Sequence, residues 1–213
     1  QMQVGYKINI GTLFDNESKL FEFSENEDLK GNRYLDKLGV VCSKFVCLLV
    51  RDHTYYSTKG KRYKDIEMRK SNFRNTNPLG YVPAVKYLVD SGYHVIRMGK
   101  DFTEKFPFSH SRFIDYALSE DRDDFLDIWL SSHCKFFLSS SSGIGGIPVV
   151  FNTPMIFANF FPIGRMQSWS PKSIHLPRMA LQNGNTLNIR DMVEMDIIWR
   201  IDGEYYDSLG LEI

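Results

Sequence analysis

Residues 45–50 read Phe45-Val46-Cys47-Leu48-Leu49-Val50, an unbroken apolar run of strand length that Arg51-Asp52 ends abruptly. Successive side chains of a strand point to opposite faces, so a run apolar at every position must be covered on both sides. That is the situation of a strand inside a parallel sheet flanked by helices. Working downstream, a densely basic stretch from Lys59 to Arg74 leads to Tyr81, Ala84, Val85 and Leu88. Their i, i+3, i+4, i+7 spacing predicts an amphipathic helix, with Pro83 tolerated in its first turn and Gly92 as its stop. A second strand is expected over Tyr93–Met98, and a short third over Arg112–Tyr116. Ser119 is expected to cap a helix with the acidic first turn Glu120, Asp121, Asp123, Asp124 and the buried stripe Phe125, Ile128, Trp129. Lys135–Leu138 reads as a strand, Ser139–Gly146 as a loop of small residues and Gly146–Phe151 as a helical turn. Pro154–Ala158 reads as a further strand, and Leu187–Trp199 as a final helix capped by Asn188.

Strand and helix alternate repeatedly, which predicts an α/β fold with a doubly wound parallel sheet, Rossmann-like, over residues 41–213. Residues 1–40 are polar and are expected to be a lead-in, or the edge of a missing N-terminal domain. The chain starts at Gln1, which suggests a longer native protein. Hydrophobic residues make up 43% and charged residues 24%, the balance of an ordinary globular chain, which excludes a disordered one. Lys plus Arg equals Asp plus Glu at 26 each, which argues against a broad electrostatic grip on nucleic acid. Three cysteines, Cys42, Cys47 and Cys134, form no CxxC pair and fit reduced thiols in a cytoplasm. No signal peptide is visible, and no apolar run approaches the roughly 20 residues that span a bilayer.

Ligands of open α/β sheets bind beyond the carboxyl ends of the strands. Those positions carry Arg51-Asp52, then Arg97 with Gly99, then Asp115, then Ser139-Ser140-Ser141-Ser142-Gly143. A turn of small residues between strand and helix frees backbone N–H groups and suits a phosphate, although a solvated serine-rich loop has the same composition. It is neither a P-loop nor GxGxxG. A guanidinium at Arg51 can clamp a diphosphate with two N–H bonds, and Arg74 and Arg97 are candidates to join it. Asp121-Arg122-Asp123 matches a DxD metal-diphosphate pattern but sits at a helix start, where the dipole accounts for the acids. The five histidines show no metal-binding spacing and no GxSxG elbow is present, so neither a zinc site nor a serine hydrolase is expected.

The ordered series Val46–Asp52, Phe73-Arg74-Asn75, Tyr81, Gly92–Lys100, Ile114–Ala117, Asp124–Leu130 and Cys134–Leu138 with Ser141-Ser142-Gly143 carries a resemblance. From about residue 38 to residue 195 the chain resembles a family of bacterial glycosyltransferases found with surface-polysaccharide genes. That family is more distantly similar to fucosyltransferases and heptosyltransferases of the two-domain GT-B architecture. The resemblance implies the donor half of such an enzyme, metal-independent and without cofactor. It would transfer a hexose or deoxyhexose from a nucleotide-diphosphate sugar to a glycan or lipid-linked acceptor. It also implies a cytoplasmic protein, peripheral at the inner membrane, that binds no nucleic acid. Arg51 would be the catalytic cation, with donor contacts from Ser140, Ser141, Ser142 and Gly143. Arg74, Asn75, Arg97 and Asp115 would line the same cleft, with Asp52, Gly99 and Asp127 completing the substrate-binding set. Leu49 stands where fucosyltransferases carry the His of an HxR motif, so fucose as donor sugar is not implied. Two other readings remain open: a nucleotide- or sugar-binding module without turnover, and a nucleotide-sugar epimerase of the same architecture.

Overall fold

A computed structural model describes residues 21–52, 70–140, 142–167 and 170–213. Most of the basic stretch 59–74 lies outside these residues. The first strand, β1 (Phe45–Leu49), is buried at all five positions, as its doubly apolar sequence demands. It pairs in parallel with β2 (His94–Arg97) on one side and β4 (Phe137–Ser139) on the other. With β3 (Phe113–Ile114), β5 (Met155–Phe160) and β6 (Ser173–Pro177), the order is β3-β2-β1-β4-β5-β6 and every pairing is parallel. This is a Rossmann-like sheet, with its order reversing between β1 and β4.

One face of the sheet is covered by helix α2 (Val82–Asp90), which buries Val85, Leu88 and Val89, with Tyr81 just ahead of it, against Val46, Leu48, Val95 and Leu138. Ala84, expected in that stripe, is exposed instead, and Val89 takes the inward position. The opposite face is covered by α3 (Asp124–His133), through Leu126, Trp129 and Leu130, and by α1 (Glu25–Leu38), through Tyr34 and Leu35. Each fully buried side chain of this size contributes about 1.5–3 kcal/mol relative to exposure.

Helix α1 lies in the stretch expected to be a lead-in, yet it is built into the core. A Cβ at Gly31 would fall 2.1 Å from the Trp129 ring, so the two helices approach through a glycine. The start is fixed by a capping box, in which Ser24 and Glu27 satisfy each other's backbone N–H groups. The Trp129 indole N–H also donates to Asp28 at 2.9 Å.

Helix α3 begins four residues later than expected. Its cap is Asp123, which accepts from the Leu126 N–H at 2.6 Å, while Ser119 closes a preceding turn by accepting from the Asp121 N–H at 3.2 Å. Ile128, read as part of the buried stripe, is 39% exposed and turns toward the cleft described below.

After β4 comes the short helix α4 (Gly146–Val150). The C-terminal residues form a satellite: an antiparallel sheet β8-β7-β9 (Asn185–Thr186, Leu181–Gln182, Leu211–Glu212) with helices α5 (Ile189–Glu194) and α6 (Gly203–Ser208). Its own core holds Phe161, Met192, Ile197 and Tyr206. Asn188 caps α5 as expected, but the helix stops at Glu194 and not at Trp199, with Asp196 at φ 55° turning the chain away.

Candidate functional site

Where the sheet order reverses, the chains leaving β1 and β4 diverge and leave a crevice. Ser140 ties the two strand ends together: its N–H donates to the Leu49 carbonyl at 3.0 Å, and its Oγ accepts from the Arg51 N–H at 2.7 Å. Ser140 is wholly buried. Its hydroxyl therefore serves the backbone and does not stand in the cleft as a donor contact, which corrects its expected role. Ser139 is spent similarly, donating to the Ser140 carbonyl at 2.6 Å. Ser141 lies outside the described residues.

The crevice opens into a cleft of about 680 Å³, within the range of small-molecule sites. Its walls bring together Arg51, Asp52, Arg74, Gly99, Asp127, Ser142 and Gly143, all expected from the sequence. Lys100, Arg122 and Asp124 join them, and Leu49, Phe102, Ile128, Ile144 and Ile147 supply the apolar surface. Four cationic side chains against three carboxylates, in a partly apolar recess, favour an anionic group with an uncharged body attached.

Asn75 stands behind the wall, its Oδ1 accepting from Arg51 Nε at 3.4 Å, so it orients the guanidinium. The Thr76 N–H donates to the Arg51 carbonyl at 3.0 Å, which fixes the main chain of the same residue.

Arg97 and Asp115 do not line the cleft. They pair with each other at 3.0 Å, and Arg97 is 4% exposed. Arg97 also donates to the Glu104 carbonyl at 2.9 Å, and its guanidinium lies 4.2 Å from the centre of the Phe102 ring. Asp115 accepts in addition from the Phe106 N–H at 3.2 Å. Two residues at adjacent strand ends thus neutralise one another and pin the segment after β2. Gly99, at φ 137°, is needed there, since a Cβ would meet the Phe102 ring at 2.0 Å.

The DxD acids turn away from the cleft, toward α1: Asp121 pairs with Lys37 at 2.6 Å and Asp123 with Lys30 at 3.0 Å. The arginine between them points the other way. Arg122 donates through Nε to the Gly99 carbonyl at 3.0 Å and forms a tight ion pair with Asp127. Residues 119–122 form a turn closed by the Arg122 N–H donating to the Ser119 carbonyl at 3.2 Å, and no periodicity in the sequence singles Arg122 out from its acidic neighbours. Asp127 is nearly buried, and its second oxygen, Oδ1, has no hydrogen-bond partner among the described residues. Burial pushes its carboxyl above the usual carboxylate range, against the pull of Arg122. Among the described residues no cluster of three His, Cys, Asp or Glu could hold a metal ion, and no helix is long and apolar enough to cross a membrane.

Sheet order and the position of the cleft define a Rossmann-like α/β domain with its crevice at the switch point of the sheet. Among solved structures, the chain is similar to E. coli ADP-heptose lps heptosyltransferase II, with a TM-score of 0.51 and 13% identity over 89% of this chain and 52% of that one. The chain thus spans about half the length of that structure, and likeness at this identity concerns the fold alone. No protein-family model and no curated protein matches the sequence.

Proposed function

We propose that the protein is a glycosyltransferase and that this cleft receives the nucleoside diphosphate of an activated sugar. The observation that carries the reading is the convergence of Arg51, Arg74, Lys100 and Arg122 on the cleft at the switch point of the sheet. Departure of a diphosphate leaves negative charge on its oxygens. Preorganised guanidinium and ammonium donors in a recess stabilise that charge without a bound ion. Arg51 has its guanidinium oriented by Asn75 and its main chain held at the ends of β1 and β4. The apolar wall from Phe102 to Ile147 suits a base or sugar ring. The reading extends to a hexosyl or deoxyhexosyl donor and a glycan or lipid-linked acceptor of surface-polysaccharide synthesis. It places the protein in the cytoplasm, at the membrane surface where such an acceptor sits.

A binding module without turnover is the second reading. It is favoured by the state of two of the cleft's three carboxylates: Asp124 and Asp127 both contact Arg122 and are engaged as its partners. The experiment is calorimetric titration of the purified chain with ADP, CDP, GDP and UDP and their sugars, followed by a product assay against glycan and lipid-linked acceptors. Saturable nucleotide binding supports the site and transfer supports the enzyme; binding without transfer is expected both of a module and of a donor half assayed alone, and transfer restored by a second, acceptor-binding domain supplied in trans tells the two apart. Absence of any nucleotide binding overturns both.

A further inference from the structure

Arg178 follows β6 and does not line the cleft, yet its side chain spends its donors on the loop that does. Nη1 donates to the Phe73 carbonyl at 2.6 Å, and Nη2 donates to the Asn75 carbonyl at 3.1 Å and to Thr76 Oγ1 at 2.9 Å. Nη1 also reaches the carbonyl of Ile213 at 3.4 Å, so one guanidinium joins the loop to the chain's last residue. A part-buried cation is costly to keep unless its donors are satisfied, and here three of its four hydrogen bonds converge on one short segment. That segment carries Arg74 into the cleft and Asn75 against Arg51. Phe73, at its start, packs edge-on against Tyr206 of the C-terminal satellite, with ring centroids 4.9 Å apart.

We propose that Arg178 is a positioning residue of the nucleotide site, holding residues 73–76 so that Arg74 and Asn75 face Arg51. The C-terminal satellite thereby acts on the diphosphate without touching it. The inference rests on the nucleoside-diphosphate reading above. A lysine at 178 keeps the charge, but a single ammonium cannot span two carbonyls and a hydroxyl as the planar fork does.

The test uses the whole chain and whichever of ADP, CDP, GDP and UDP binds it most tightly. Arg178→Lys is expected to lower that affinity about tenfold, the order of coupling within one hydrogen-bonded network. Two amides report the loop directly: the Asn75 N–H, donated to Asn72, and the Thr76 N–H, donated to Arg51. Their hydrogen exchange should accelerate in Arg178→Lys while that of β1 and β4 stays unchanged, which a general loss of stability would not produce. In an Asn75→Ala background the same substitution should weaken binding by less than it does in the wild type. Unchanged affinity, whether or not the loop loosens, overturns the inference, as do fully additive effects. Wild-type protein that binds none of the four nucleotides overturns the underlying reading instead, a result told apart by its appearing before any substitution is made.

Discussion

Replacing Arg122 by alanine tests whether the ion pair in the cleft is held as described. The guanidinium is 16% exposed and the Asp127 side chain 13%, so both charges are largely shielded from water. Loss of the charged hydrogen bond to the Gly99 carbonyl should cost about 1.5–3 kcal/mol. A carboxylate stranded in a buried site costs about 3–5 kcal/mol when its partner is removed. The cleft lets water reach the vacated space, so the sum is discounted to about 3 kcal/mol. For a chain of this size that lowers Tm by roughly 6–12 °C. The pH dependence gives the sharper check. Burial already raises the folded-state carboxyl of Asp127 above its unfolded value, and deleting Arg122 raises it further. A raised carboxyl means that the folded state binds the proton more tightly, so stability falls as pH rises from the unfolded value through the folded one. The stranded-charge part of the penalty should therefore fade near pH 4, where Asp127 can protonate, leaving the pH-independent loss of the Gly99 hydrogen bond, and the penalty should be full at neutral pH. Urea melts at the two pH values, on Arg122→Ala alone and with Asp127→Asn added, measure this. A penalty equal at both pH values, or no recovery in the double variant, would refute the account of a stranded charge.

Arg51→Ala should weaken nucleoside-diphosphate binding by about 2 kcal/mol or more, since a charged hydrogen-bond donor is lost; equal affinity by calorimetry, with the fold intact by circular dichroism, counts against the proposed site. Transferase activity should survive EDTA, because the cleft offers fixed cations for the leaving diphosphate; loss on chelation with recovery on adding manganese would turn attention back to Asp121 and Asp123. Gly31→Ala places a methyl 2.1 Å from Trp129 and should cost about 1–3 kcal/mol by overpacking; a melting temperature equal to wild type would show that α1 does not dock as described.

Legibility in the sequence followed burial. The strand at 45–50 could be read because parallel strands leave a continuous apolar run, and the strand ends then located Arg51, Asp52, Gly99 and the Ser142-Gly143 turn. Pairing over distance was hidden: nothing in the residues themselves shows that Arg97 and Asp115 consume each other. Ser140 was misplaced for a related reason, since a hydroxyl that satisfies backbone and one that meets ligand look alike in sequence. Helix α1 escaped because its contact with the core runs through a glycine and only a few apolar side chains, inside an otherwise charged stretch. Strands β7, β8 and β9 span two residues each, too short for any alternation to register.

The weld at Ser140 has a bearing on selectivity. Because one hydroxyl and one amide lock the ends of β1 and β4 together, the side of the recess formed by Arg51 and the following turn is a fixed jaw, set by the sheet itself. Adjustment to guests of different girth falls to the opposing jaw, where Lys100 and Phe102 project from a segment anchored by Arg97 and Arg122. Relatives that share this sheet could then keep the same anion grip while exchanging residues 100–102 to change what is attached to it. An engineer seeking to change what the cleft admits would begin there and leave positions 49–51 and 140 untouched.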